Sequence, residues 1–260
     1  MLQYLADSDH RVSAAELERH LVQISGESRA ACRRRIRSLV SAGELAYTYE
    51  FGNSYVEPSF QRPVALSNRL ICIPPQIEIT PPEGMIALRL DPGAAFGCGR
   101  HPSTRVALRA VETAFQSNPY FDMALDVGTG SGILIIAAVR LGAQRGLGID
   151  IDGCARMAAA ENVRINHLED RIRIGDTAVD ALARAGVRYD LVIANLRTPT
   201  LIHLGTHLSA LVRPEGYLVV SGIQDDECRV LEQTYGKKGL YKRWQTEEKG
   251  WCGLVFRLRA

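Results

Sequence analysis

Apolar positions in the first sixty residues recur twice at helical spacing. Ala14, Leu17, Leu21 and Ile24 form one face behind Ser13, a residue type suited to cap a helix, with Glu16 in the first turn. Gly26 interrupts it. A second face, Ala31, Cys32, Ile36, Leu39 and Val40, predicts a helix from about Ser28 to Ala42 that stops at Gly43. Two aromatic runs, Leu45 to Phe51 and Ser54 to Phe60, then meet at Gly52-Asn53, which predicts a β-hairpin. From Ser103 onward the rhythm alternates between strand and helix. The strands expected are Ala124–Val127, Gly146–Ile151, Arg171–Ile174, Leu191–Ala194, Tyr217–Gly222 and Trp251–Leu258. The helices between them are Gly132–Leu141, Cys154–Asn166, Leu201–Val212 and Asp225–Tyr235.

This alternation predicts an α/β fold, a mostly parallel sheet with helices on both faces. The strand at Trp251–Leu258 follows the charged run Lys237 to Lys249 and fits an antiparallel edge position. The helix, turn, helix, hairpin order of residues 1–60 resembles a small winged-helix-like α+β module. Between the two patterns, prolines at 63, 74, 75, 81, 82 and 92 punctuate aliphatic segments such as Leu70-Ile71 and Ile86-x-Leu88-x-Leu90. Free linkers rarely carry that much aliphatic residue, so residues 61–92 read as a β-rich connector packed on the domain at 93–260.

Composition narrows the field. The chain has 260 residues, 46% hydrophobic and 23% charged, with 31 Lys+Arg against 29 Asp+Glu for a net charge of +2. Whole-chain charge therefore argues against a dedicated polyanion binder. Six cysteines are scattered without a CxxC pair or a neighbouring His cluster, so no metal site is expected and the thiols read as reduced. No apolar run reaches the roughly 18–20 residues that span a bilayer, and Asp7, Asp9, His10 and Arg11 interrupt any signal-peptide core. The expectation is a soluble cytoplasmic protein.

The chemistry centres on Leu125-Asp126-Val127-Gly128-Thr129-Gly130-Ser131-Gly132, a strand that feeds a tight glycine turn and a helix. Glycines at such a turn let the backbone bend sharply and a ligand approach its amides. Asp150 ends the next strand, 22 positions after Gly128, where a carboxylate accepts hydrogen bonds from a ribose diol. A dinucleotide site needs its third glycine where Ile133 stands. Here it comes one residue early, at Gly132, and Gly-x-Gly-x-Gly looks like the S-adenosylmethionine loop of class I methyltransferases.

Two further segments point to the same crevice. Asp91 to Thr104 combines Gly93, Gly97 and Gly99 with one aromatic, Phe96, a His101-Pro102 pair and hydroxyls at a helix mouth. Ser103 reads as the cap of a helix from Thr104 to Phe115, and Phe96 on a flexible loop suits a lid over a small-molecule pocket. His101 reads as a residue that orders the loop, with proton acceptance as its other role. Asn195 closes the strand Asp190–Ala194. It either caps the next helix or joins Gly128 and Asp150 at the carboxyl ends of the strands.

These pieces together resemble the PrmA-type ribosomal protein methyltransferases over about two thirds of the chain. The matching segments are the loop Asp91–Thr104, Asp126-x-Gly128-x-Gly130-Ser131-Gly132-Ile133-Leu134, Gly148–Asp152 and Ala194-Asn195-Leu196, with Ser221-Gly222-Ile223 and Trp251-Cys252. The resemblance implies a class I, Rossmann-like fold and S-adenosylmethionine as cofactor. It also implies methyl transfer to an amine of a protein substrate, a lysine or α-amino group of a ribosomal protein. It places Thr104, Gly128, Asp150 and Asn195 on the cofactor and Phe96 in a mobile loop at the methyl-transfer site. Two departures stand out. Cys98 and Arg100 occupy positions where the family carries threonine, and residues 1–60 replace the family's α/β recognition domain.

The predicted second helix bears Arg29, Arg33, Arg34, Arg35 and Arg37 without an acid. At helical spacing Arg29, Arg33 and Arg37 share a face, a stripe suited to phosphates. Two partners fit: nucleic acid held through Arg29, Arg33, Arg34 and Arg37, or a protein docked on a solvated helix.

Overall fold

The computed structural model describes residues 1, 4–5, 8, 10–50, 52–91, 97, 99–118 and 120–260. The chain forms two compact units, Met1–Val64 and Ala65–Ala260.

In the first unit, α1 (Ala14–Ser25) starts at Ser13, whose hydroxyl accepts the Glu16 N–H at 3.2 Å. Helix α2 (Arg29–Ser41) is capped in the same way by Ser28. Strands β1 (Leu45–Glu50) and β2 (Asn53–Pro58) pair antiparallel. Asn53 already pairs with Glu50, so the turn lies one residue earlier than Gly52-Asn53, and Phe51 falls outside the described residues. Leu17 and Leu21 from α1, Cys32 and Ile36 from α2, and Leu45 and Val56 from the hairpin bury one another as the core. The apolar spacing read from the sequence is the spacing that closes this core.

The second unit opens with β3 (Leu70–Ile73) and β4 (Ile86–Arg89), paired in parallel. Helix α3 (Pro102–Ser117) leads into a seven-stranded sheet. Its first half comprises β5 (Phe121–Val127), α4 (Ile133–Leu141), β6 (Ala143–Ile149), α5 (Gly153–Ile165) and β7 (Ile172–Gly175). The second half runs α6 (Val179–Arg184), β8 (Tyr189–Asn195), α7 (Thr198–His203), α8 (Gly205–Leu211) and β9 (Val212–Gln224). It closes with α9 (Cys228–Gly236), β10 (Leu240–Glu248) and β11 (Trp251–Leu258). The strand order is β10-β11-β9-β8-β5-β6-β7, parallel except that β11 is antiparallel to both neighbours.

Strand order reverses between β5 and β8: the chain winds outward through β6 and β7, then returns to the other side of β5. Open α/β sheets bind ligands at the carboxyl ends of strands beside such a reversal. Leu125, Val127, Val192, Ala194, Leu218 and Val220 fill the interior beneath it.

Three expectations are corrected. The charged run before Trp251 is itself a strand, β10, so β11 is antiparallel but interior rather than at the edge. The single helix expected over Leu201–Val212 is two, α7 and α8, broken at Leu204. The cysteines do not all stand apart, because the sulfurs of Cys228 and Cys252 lie against each other. Among the described residues no helix is long and apolar enough to cross a membrane.

Candidate active site

The glycine turn joins β5 to α4 at the sheet's point of reversal. Gly128, Gly130 and Gly132 all have positive φ, at 73°, 55° and 81°. Gly132 shows why a side chain fails there. A Cβ would lie 3.2 Å from the Ala159 Cβ and 3.3 Å from its Cα, so this glycine lets α5 approach the start of α4 closely. The N–H groups of Gly128 and Thr129 both donate to the Ile149 carbonyl, at 2.9 and 3.0 Å, which ties the turn to the end of β6.

Two carboxylates brace this turn from different sides. Asp126 is fully buried and accepts the Thr129 hydroxyl at 2.7 Å, while its Oδ1 has no hydrogen-bond partner among the described residues. Burial is the main reason that its pKa rises to about 7, and the nearby charge of Asp150 pushes the same way. Asp150 is half-buried. Its Oδ2 accepts the Gly130 N–H at 2.9 Å and its Oδ1 the Asp152 N–H at 3.0 Å. Each carboxylate oxygen has a second lone-pair site, so Asp150 can hold the turn and still accept a diol. A shallow depression lined by Asp152, Met157 and Ile174 opens near the ends of β6 and β7.

The other wall is built by β8, β9 and the start of α3. Ser221 of β9 pairs with Asn195 of β8, and its hydroxyl reaches the Ser103 carbonyl at 2.9 Å. One residue therefore brings the ends of two strands to the first turn of α3. Thr104 there is fully buried with Oγ1 unpaired among the described residues, and the Asn195 Oδ1 is unpaired in the same sense. Unsatisfied buried acceptors cost stability, and they collect where a ligand satisfies them. Val127 pairs with Ala194, which sets Gly128 and Asn195 side by side at adjacent strand ends.

The sequence-derived residues Asp126, Gly128, Gly130, Gly132, Asp150 and Asn195 thus meet around one strand-end crevice, with Thr104 joined through Ser221. Phe96 lies outside the described residues. The helix cap differs from expectation. His101, not Ser103, caps α3: its Nδ1 accepts the Ser103 N–H at 3.2 Å and lies 2.8 Å from the Ser103 hydroxyl, with Pro102 as the first helical residue. The His101 ring also meets Trp251 edge-on, with centroids 4.5 Å apart.

Sequence reasoning missed Asn162 and Asn166. Asn162 donates to the Ser131 carbonyl at 2.8 Å and accepts the Asp91 N–H at 2.9 Å, and Asn166 both donates to and accepts from the Arg89 backbone. Their signal was present as two polar residues four apart on the inward face of a helix. Ser131 in turn donates to the Gly97 carbonyl at 2.9 Å.

The profile of the family described as ribosomal protein L11 methyltransferase (PrmA) matches residues 57–259. The ribosomal protein L11 methyltransferase of Geotalea uraniireducens (strain Rf4) is 37% identical over 220 residues, which cover 81% of this chain and 68% of that protein. The protein of the same description from Geobacter sulfurreducens is 38% identical over 195 residues, covering 75% and 62% respectively. Across these and the next relatives, the chain spans between 59% and 68% of their length. The crystal structure of a ribosomal protein L11 methylase from Lactobacillus delbrueckii subsp. bulgaricus superposes with a TM-score of 0.68 at 30% identity, covering 76% of this chain and 100% of that one. A putative RNA methyltransferase from Pyrococcus horikoshii, 15% identical with a TM-score of 0.52, covers 62% of this chain and 87% of its own and shares the fold.

Proposed function

The chain belongs to the ribosomal protein L11 methyltransferase family, and from that premise we propose that it transfers a methyl group from S-adenosylmethionine to an amine of a protein, a lysine or α-amino group of a ribosomal protein. The observation that carries this reading is the pair of buried, unpaired acceptors, Thr104 Oγ1 and Asn195 Oδ1, beside a glycine turn braced by Asp150. Such a set fits a ligand that has a ribose diol at one end and an ammonium group at the other. In this reading Thr104, Asp126, Gly128, Gly130, Gly132, Asp150 and Asn195 hold the cofactor. Asp126 supports the turn from below, and Phe96 belongs to the acceptor side.

The cofactor supplies a methyl group made electrophilic by its sulfonium sulfur. The remaining work of this chain is alignment and exclusion of water. An alkyl amine has only to arrive unprotonated and in line, and removal from water lowers its affinity for the proton. No dedicated base is needed, and His101 is committed to capping α3. After Asn195 comes Leu196-Arg197-Thr198, not the Pro-Pro-aromatic run common in methyltransferases of planar nitrogens. The reading carries a cytoplasmic location with it, where ribosomal proteins are made.

Titration calorimetry tests the site. S-adenosylhomocysteine should bind the wild type, and Asp150→Ala should weaken it by about 10- to 100-fold, as expected for lost hydrogen bonds to a charged group. Binding of NAD in preference to S-adenosylhomocysteine would overturn the reading. Labelled methyl groups should appear in protein when the enzyme is added to a ribosomal extract; label confined to RNA would reverse the choice of acceptor.

A second reading concerns the N-terminal unit, which we take as a winged-helix-like recognition module over residues 1–60, joined through 61–92 to a methyltransferase domain at 93–260. Arg29, Arg34 and Arg37 on α2 are exposed and form no ion pair within 4 Å among the described residues, although the charge of Arg29 acts on Glu18 at longer range. Arg33 leaves the proposed stripe, because it pairs with Glu18 at 2.5 Å. Three phosphate contacts predict that log affinity for duplex nucleic acid falls with log salt at a slope of about −2.7, a dependence lost in an Arg29/Arg34/Arg37 alanine variant. Gel shifts over a salt series read this slope. Binding that is absent or indifferent to salt leaves protein docking as the role of α2.

A further inference from the structure

The loop that the sequence marks as a lid, Asp91–Thr104, is tied to the framework near both of its ends, and one tie is electrostatic. On the first side, Asp91 is held by Asn162 and Gly97 by Ser131. On the second, Nη1 of Arg105 donates to the carbonyls of Gly99 and Arg100, at 3.1 and 2.5 Å. The other edge of the same guanidinium grips Glu248: Nε donates to Oε1 at 2.6 Å, with Nη2 at 2.5 Å from the same oxygen. Arg109, four residues on, donates to the second oxygen of Glu248 at 2.6 Å. One carboxylate therefore serves two cations on one helix face, and the side chains of Arg105, Arg109 and Glu248 are only 17%, 32% and 19% exposed. Without Glu248 the two arginines would repel each other at helical spacing of four.

Glu248 is delivered by the hairpin between β10 and β11. It pairs with Trp251 across Lys249 and Gly250, both with positive φ, at 51° and 77°, as a tight two-residue hairpin requires. The same hairpin also places Trp251 against the His101 ring. Two contacts from one turn thus bear on the residues where the loop becomes α3.

We propose that Glu248 is a positioning residue for methyl transfer: by holding Arg105 it fixes the Gly99 and Arg100 carbonyls and so keeps the segment that leads into α3 aligned for the transfer step. The proposal rests on the methyltransferase reading above. Glu248 sits 143 positions from Arg105 in sequence, and its carboxylate hydrogen bonds run to Arg105 and Arg109, neither of which is assigned to the cofactor.

Two variants test it. Glu248→Gln keeps the shape and removes the charge, and Arg105→Lys keeps a charge for Glu248 but loses the fork that spans both partners. Each should speed tryptic cleavage at the Arg100–His101 bond about tenfold at a temperature far below melting, since it loosens a local opening rather than the whole fold. Each should lower kcat for a ribosomal-protein acceptor on the order of tenfold while the Kd for S-adenosylhomocysteine stays within about twofold, because misalignment acts on the chemical step. Cleavage at the wild-type rate in both variants overturns the clamp. An equal fall of kcat and cofactor affinity overturns its positioning role. If the wild type binds no S-adenosylhomocysteine, the methyltransferase reading fails instead, and the cleavage rates still decide whether Glu248 holds the loop.

Discussion

Replacing Gly222 with alanine should lower the melting temperature by about 10 °C and weaken S-adenosylhomocysteine binding roughly tenfold, although it adds a single methyl group. Gly222 sits at a bulge in β9, where the register with β11 shifts between Ser221 and Ile223, and its φ is +80°. A left-handed conformation costs a residue with a Cβ about 1–2 kcal/mol. The added atom would also lie 2.7 Å from the Leu196 carbonyl oxygen, 2.8 Å from Asn195 Oδ1 and 2.9 Å from the Leu196 nitrogen. Two of these are backbone atoms of the turn that leaves β8, so no side-chain rotation relieves them. Overpacking of that kind adds about 1–3 kcal/mol. Relief must come from moving Asn195 and Leu196, which ties the stability loss to the site. Gly175→Ala is the control, because its added carbon meets nothing within 4 Å, and the change should stay within about 0.5 kcal/mol. Equal melting of Gly222→Ala and wild type would mean that the close approach at the end of β8 is absent in solution.

Elements whose pattern is set by one buried face are legible in the sequence. The strand at Trp251–Leu258 is expected and found with the same ends, and Ser13 and Ser28 mark the starts of α1 and α2 correctly. Elements whose pattern is set elsewhere are not. Strand β10 is an edge strand made largely of half-exposed polar residues, so its alternation is submerged in a charged run. Helix α6 has only six residues, and its apolar face of Val179, Leu182 and Ala183 is half-buried and less than two turns long, too short for its period to stand out. The break at Leu204 between α7 and α8 carries no proline and only one glycine.

The site divides along the same line. Residues at strand ends, Gly128, Asp150 and Asn195, can be placed from order and spacing alone, because a parallel sheet brings the ends of consecutive strands together. Arg33 looks free in sequence and is not, since its partner Glu18 lies on the preceding helix, 15 positions away. Glu248 shows no local signal at all, because its meaning depends on a helix that packs against it from the far side of the chain. Helix capping by His101 rather than Ser103 follows a subtler rule: Pro102 favours the first helical position and so shifts the cap back by two residues.

The sharpest test of the site's electrostatics is Asp126→Asn, which should leave stability near that of the wild type at pH 4 and exceed it on the order of 4 kcal/mol above pH 7. Asp126 lies one residue before the end of the central strand with no exposed surface, and its pKa rises from 3.8 to about 7, chiefly by burial and secondarily by the charge of Asp150. The Thr129 hydroxyl and the Ile135 amide offset only part of that rise. Below about pH 4 the carboxyl is neutral in both folded and unfolded chains, so burial carries no charge penalty. Between pH 4 and 7 the unfolded chain releases the proton while the folded one keeps it, and wild-type stability falls by about 1.4 kcal/mol per pH unit. Above pH 7 both states are ionised and the loss is constant. Asparagine is neutral throughout and retains an oxygen to accept the Thr129 hydroxyl, so the variant escapes this loss. The measurement is urea unfolding of both proteins from pH 4 to 8, with the difference taken at each pH so that other titrating groups cancel. A difference that does not change with pH would show that Asp126 is solvated in the folded protein, and the unpaired Oδ1 would then need water within the turn. A difference that grows through this window, with cofactor affinity lower in the variant at pH 8, would show that the site keeps a buried acid at the cost of stability because the ligand uses its charge.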